Sequence, residues 1–123
     1  MTEYMGPDER AITGFTVPQR DRLLWIAVDL DGTLAEPIWK PSNPSSAIGA
    51  PIKRNVVKLR EAVRAGYKPV IWTARPWSDF EAIEAWLIHH DIPFKSIVCA
   101  KILAALYIDD RGRHESESSW LPR

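Results

Sequence analysis

Asp29 and Asp31 stand two residues apart, directly behind the apolar run Leu23 to Val28. Two carboxylates at the end of a buried strand cost a great deal to bury unpaired. They call for positive charge at that point. Mg²⁺ is the natural candidate, because it is a hard cation that takes carboxylate and phosphate oxygens together. Gly32 follows at once and lets the chain turn sharply. An Asp-Gly pair alone would also suit a hairpin turn, but a hairpin does not need two aspartates behind a buried strand. Two more apolar runs end in polar groups. Lys68 to Trp72 is followed by Thr73-Ala74-Arg75-Pro76, and Leu106 to Ile108 by Asp109-Asp110-Arg111-Gly112.

Those groups can act together only if the elements carrying them align. Leu23 to Leu30 reads as the first core strand, with the tryptophan and β-branched residues of a strand buried on both faces. Residues 35–51 contain Pro37, Pro41, Pro44 and Pro51 and read as a loop that hangs over the carboxylates, with Trp39 and Lys40 within reach of a ligand. A helix is expected from Ile52 to Ala65. Its stripe is Ile52, Val56, Leu59 and Val63, Pro51 suits its first turn, and Gly66 caps its end. Lys68 to Trp72 is the second strand. The next helix starts at a capping box of Ser78 and Glu81, with Trp77 as staple, and presents Phe80, Ile83, Trp86 and Leu87 to the core. It ends near His90. Ser96 to Val98 is a third strand, Ala100 to Ala105 a helical turn, and Leu106 to Ile108 a fourth strand. Strands alternating with helices predict a parallel sheet with helices on both faces. In such sheets ligands bind at the carboxyl ends of the strands, where Asp29, Asp31, Thr73, Asp109 and Asp110 all fall.

Composition narrows the classes. The chain has 123 residues, enough for one domain with a modest core. Residues 1–20 read as a flexible arm and 21–123 as the domain. Sixteen basic and sixteen acidic residues balance to zero net charge, which argues against a dedicated nucleic-acid or membrane-surface binder. One cysteine, Cys99, excludes an internal disulfide and suits a reducing compartment. No apolar run approaches the roughly 20 residues that span a bilayer, and the start of the chain lacks a secretory pattern. A cytoplasmic protein is expected. His89 and His90 are adjacent and point about 100° apart on a helix, which does not make a chelating pair.

The string DLDGT resembles the first motif of the haloacid dehalogenase (HAD) superfamily of phosphohydrolases. The resemblance extends over Leu23 to Gly112 through Thr73 in VIWTAR, Lys101, and the acidic pair of LYIDDRG. It implies a three-layer Rossmann-like α/β fold. It implies Asp29 as the nucleophile that forms an aspartyl phosphate, and Asp31 as general acid and then base. Thr73 would bind a phosphoryl oxygen, and Lys101 would hold the nucleophile and neutralise charge. Ala74 and Arg75 would lie against the substrate. Mg²⁺ would be held by Asp29, the Asp31 carbonyl, and Asp110 supported by Asp109. The acid at residue 31 points to a phosphatase and away from the dehalogenase branch. The intervals between motifs leave no room for a cap domain, so the site is expected to be open. A second copy of the chain is the expected lid, because six tryptophans are more than a thin core hides.

The leading expectation is a Mg²⁺-dependent phosphomonoesterase on a small phosphorylated metabolite, such as a nucleotide or sugar phosphate. A second is nucleic-acid end processing. IDDR also resembles the 3′-phosphatase domain of phage polynucleotide kinases, and Lys53, Arg54, Lys58, Arg60 and Arg64 line one helix face. A third is a non-catalytic module that binds a partner or a phosphate group. Arg75 and Arg111 follow motif residues and either reach the substrate or form salt bridges.

Overall fold

The computed structural model describes residues 24–40 and 47–121. The arm over residues 1–20 and the first residue of the expected first strand, Leu23, lie outside the described residues. The fold is α/β. Strands β1 (Trp25–Val28), β2 (Lys68–Trp72) and β3 (Ser96–Val98) form a parallel sheet in the order β1-β2-β3. Val28 lies opposite Ile71, and Trp72 opposite Val98. Parallel pairing brings all three carboxyl ends to one edge, so Asp29, Thr73 and Cys99 follow one another along it. Among the described residues no helix is long and apolar enough to cross a membrane.

β1 is shorter than Leu23 to Leu30 because the chain leaves the sheet at Asp29. The Leu30 carbonyl then accepts three N–H groups, from Thr33 (3.1 Å), Leu34 (2.8 Å) and Ala35 (3.0 Å). Gly32 closes this knot at φ +85°, a conformation that only glycine adopts without strain. The Leu34 carbonyl accepts the N–H of Ile52 (2.8 Å), so the turn after β1 aims the start of the next helix.

That helix, α1 (Lys53–Arg64), lies within a residue of its expected bounds at each end. Val56, Leu59 and Ala62 are buried with Ile71, Ile83, Leu87 and Ile97 in one core. Pro51 stands just before the helix and bridges to Ala35. At the other end Gly66 adopts φ +102°. Gly66 N–H reaches Val63 O and Tyr67 N–H reaches Ala62 O, the paired closure of a glycine-capped helix. In β2 the neighbours Val70 and Ile71 point to opposite faces and both are buried, so this strand is covered on both sides.

The second helix, α2 (Phe80–His89), does not begin at the expected capping box. A 3₁₀ turn, Trp77–Asp79, precedes it, and no side chain caps its start. The Asp79 N–H is satisfied by Pro76 O at 2.9 Å, and the Asp79 carboxylate turns toward Arg75 instead. That leaves Ser78 inside the turn and exposed. Trp77 stacks on Phe80. Trp86 donates to Gly49 O at 3.1 Å. A Cβ at Gly49 would stand 2.5 Å from Glu36 O, so only glycine fits between the loop and that carbonyl.

The expected helical turn at Ala100 to Ala105 and fourth strand at Leu106 to Ile108 do not form. Ala100 takes φ +64°, which stops a helix there. Its N–H and that of Lys101 bond back to Arg75 O (2.8 Å) and Thr73 O (2.9 Å). The segment beyond closes on itself, with Tyr107 Oη bonded to Ile102 O and accepting from Ala104 N–H. Ile102, Leu106 and Ile108 remain exposed, so Asp109 and Asp110 do not follow a strand.

Leu59 has no exposure, whereas Val57 on the same helix is 52% exposed. Leu59→Ala is expected to lower unfolding free energy by about 2–5 kcal/mol, and Val57→Ala by no more than about 0.5. Urea denaturation followed by circular dichroism measures both.

Candidate active site

Asp29 sits where β1 ends. Its Oδ1 accepts the Leu30 N–H at 2.8 Å, and its Oδ2 meets Lys101 Nζ at 3.3 Å. Burial pushes the Asp29 carboxyl above its ordinary 3.8, although the Lys101 charge and the Leu30 N–H pull the other way. Burial thus outweighs the Lys101 charge at this carboxyl. The structure brings the expected nucleophile and the expected lysine together across seventy-two residues of chain.

Asp31 is held differently. Arg75 Nε donates to its Oδ2 and Arg75 Nη2 to its Oδ1, both at 2.9 Å. This two-pronged geometry suits a guanidinium and a carboxylate. Arg75 is only 2% exposed. It also reaches Asp79 Oδ2 at 3.3 Å and Ala47 O at 3.2 Å, and its guanidinium carbon lies 5.8 Å from the Trp39 ring centre. Burial works against its charge, but the bonds to Asp31 and Asp79 outweigh burial and raise its pKa. Arg75 is thus neither an exposed surface salt bridge nor a free substrate ligand. To reach a leaving-group oxygen, the Asp31 side chain has to leave at least one of these bonds.

Thr73 is fully buried. Its Oγ1 accepts the Arg75 N–H at 3.1 Å and its carbonyl accepts the Lys101 N–H. In this arrangement it supports the two cationic residues rather than facing solvent. Ala74 between them is half-buried. Asp109 and Asp110 are exposed and elsewhere engaged. Asp109 Oδ1 accepts from Arg111 N–H (2.7 Å) and Gly112 N–H (2.6 Å), and Asp110 stands 3.9 Å from Arg111 Nε. Among the described residues no three His, Cys, Asp or Glu side chains group as metal ligands. Asp109 and Asp110 therefore do not group with Asp29 here.

A supporting residue escaped the sequence reading. Asn55 is fully buried on α1. Its Nδ2 donates to Thr33 O (2.8 Å) and to Glu115 Oε2 (2.7 Å), tying the turn after Asp31 to the C-terminal tail. Lys58 Nζ and Trp120 Nε1 both donate to Glu115 O. The tail therefore docks through Trp120, while Leu121 stays partly exposed. The signal was an asparagine in line with the apolar stripe, three residues after Ile52. Lys58 and Arg60 are committed to the carbonyls of Glu115 and Asp91, which takes two cations from the basic helix face. Lys40 is exposed. His89 and His90 pack edge to face, His90 also against Trp86. The Cys99 thiol is pushed up to about 11 by burial, with the Asp79 charge adding, which suits a packing residue.

No family model matches the chain, and no curated protein matches it. It is similar to a solved structure, a structural-genomics target from Vibrio cholerae. That match has 28% identity and a TM-score of 0.61, and covers 79% of this chain and 88% of that one. The likeness agrees with the α/β fold.

The raised Asp29 carboxyl has a consequence for stability. A carboxyl raised on folding favours the folded state fully below its unfolded pKa, and that contribution is lost as pH rises through the folded pKa. Ionised Asp29 therefore costs stability at neutral pH. Asp29→Asn is expected to raise the melting temperature at pH 7, and the gain should vanish as pH falls to the ordinary 3.8. Thermal melts of both proteins across that range measure it.

Proposed function

We propose that the chain is a phosphomonoesterase of the HAD type, with the three-layer core that this resemblance implies and no cap domain. The proposed substrate is a small phosphorylated metabolite. The single observation that carries the reading is the contact of Lys101 Nζ with Asp29 Oδ2 at 3.3 Å at the carboxyl edge of the sheet. An anionic phosphate resists attack by an anionic carboxylate. A fixed ammonium beside the nucleophile lowers that repulsion and stabilises charge on the transferring group.

In the first step an Asp29 oxygen bonds to phosphorus and the ester P–O bond breaks. The departing oxygen takes a proton from Asp31. In the second step water attacks the same phosphorus, Asp31 takes its proton, and inorganic phosphate leaves with Asp29 restored. Both steps need Asp31 to turn away from Arg75, which then keeps its hold on Asp79 and Ala47. Thr73 anchors the main chain of Arg75 and Lys101 throughout.

Mg²⁺ enters this reading from the resemblance. Asp29 and the Asp31 carbonyl, at the carboxyl edge of the sheet, are the donors that would hold it, and Asp109 and Asp110 do not join them as arranged. Asp29 is paired with Lys101, Asp109 caps its own turn, and Asp110 lies exposed beside Arg111. Turnover of an aryl phosphate is expected to fall in EDTA and return with added Mg²⁺. Activity indifferent to EDTA would leave the countercharge to Lys101.

The division of labour between the carboxylates is testable by trapping. Asp31→Asn keeps the nucleophile and removes the base for the second step, a loss of order 10²–10⁴-fold. Given an aryl phosphate, whose leaving group needs no proton, that variant should accumulate one phosphoryl group on Asp29. Intact mass after acid quench reads it, with little signal from wild type and none from Asp29→Asn. A phosphoryl group on any other residue would overturn the assignment.

A further inference from the structure

Lys101 is 9% exposed, an unusual burial for a lysine at the rim of a sheet. Besides Asp29, two aromatic rings face its ammonium. Nζ lies 5.0 Å from the ring centre of Trp72 and 5.5 Å from that of Tyr107. The two rings stand 6.4 Å apart at 50° to one another, an open V with the ammonium against both. Lys58 and Lys68 each meet a single ring, at 5.8 and 5.9 Å. Neither Trp72 nor Tyr107 is a core residue, since they are 42% and 49% exposed. Each has a defined place in the fold. Trp72 is the last residue of β2, and the Tyr107 hydroxyl accepts from Ala104 N–H at 3.3 Å and donates to Ile102 O.

We propose that Trp72 and Tyr107 are positioning residues that hold the Lys101 ammonium on Asp29. A lysine has a flexible four-carbon stem and a strongly hydrated head. Left alone at a sheet edge, that head turns to water. Aromatic faces attract a cation through their quadrupole, and two of them close off the outward rotamers. The strong acceptor that remains is Asp29 Oδ2. The V thus converts a mobile cation into a fixed one, which electrostatic stabilisation of a transferring group requires. The catalytic consequence rests on the phosphatase reading, whereas the placement of Lys101 does not.

Two measurements keep these apart. Reductive methylation with ¹³C-formaldehyde labels lysines while keeping their charge. The Lys101 signal, assigned by its loss in Lys101→Arg, should lie upfield of the other lysines because ring currents from both faces act on it. It should move back among them in Trp72→Leu and in Tyr107→Leu, and stay upfield in Trp72→Phe and Tyr107→Phe. Tyr107 lies outside every helix and strand, so its variants leave the sheet intact if Trp72 proves necessary for folding. On an aryl phosphate, Trp72→Leu and Tyr107→Leu should each lower kcat about tenfold with KM little changed, and the phenylalanine variants should recover most of it. A Lys101 signal that stays upfield in both leucine variants would overturn the proposal, as would an unchanged kcat in an active enzyme. An inactive wild type whose Lys101 signal still responds to the rings would overturn the phosphatase reading alone.

Discussion

A guanidinium with almost no exposure must have its charge met on every side, and Arg75 meets this requirement by drawing the strand ends together. It takes the Asp31 carboxylate from the turn after β1, the Asp79 carboxylate from the turn before α2, and the Ala47 carbonyl from the loop before α1. Its own carbonyl holds Ala100 after β3. A buried ion pair of this kind is expensive to form and more expensive to break on one side. The geometry at the sheet edge follows from it. Asp79 is unavailable as a helix cap because Arg75 claims its carboxylate, and α2 consequently starts through a 3₁₀ turn.

The other side of the edge depends on neutral bonds. Leu30 O gathers three N–H groups, Leu34 O sets Ile52 at the start of α1, and Asn55 returns from that helix to Thr33 O. The turn carrying Asp31 is therefore gripped from below by its own helix and from the side by Arg75. Asp29 escapes both grips, being half-buried with Lys101 as its cationic partner. Asp31 is bound to Arg75 through both oxygens, whereas Asp29 meets the Leu30 N–H and the Lys101 ammonium.

Much of the fold was legible. The bounds of β2 and β3 and the extent of α1 follow from short apolar runs, a helical stripe and Gly66, all local signals. The meeting of Asp29 with Lys101 was expected only from the resemblance, which sets a lysine on that aspartate. Arg75 was recognised as a candidate but not as the clasp on Asp31, because pairing across forty-four residues leaves no local trace. Ser78 and Glu81 satisfy the spacing of a capping box, yet a tertiary demand on Asp79 outranked it. Leu106 to Ile108 has strand composition, but Ala100 turns left-handed after β3, the Tyr107 hydroxyl ties Ile102 and Ala104, and the segment stays out of the sheet. Asp109 and Asp110 were placed at a strand end by an inference that needed that strand.

The same segment bears on how the molecule behaves in concentrated solution. Ile102, Leu103, Leu106 and Ile108 form a short, uncharged, proline-free stretch that is open to solvent. Stretches of this kind are where unrelated copies stick by edge-to-edge pairing. Here Lys101 stands at one end and Asp109, Asp110 and Arg111 at the other, and charges in those places act as gatekeepers that make stacking of identical chains unfavourable. Three of the four gatekeepers are exposed, so salt screens them. Colloidal stability and ionic strength are thereby linked through a stretch of chain that the sheet leaves outside.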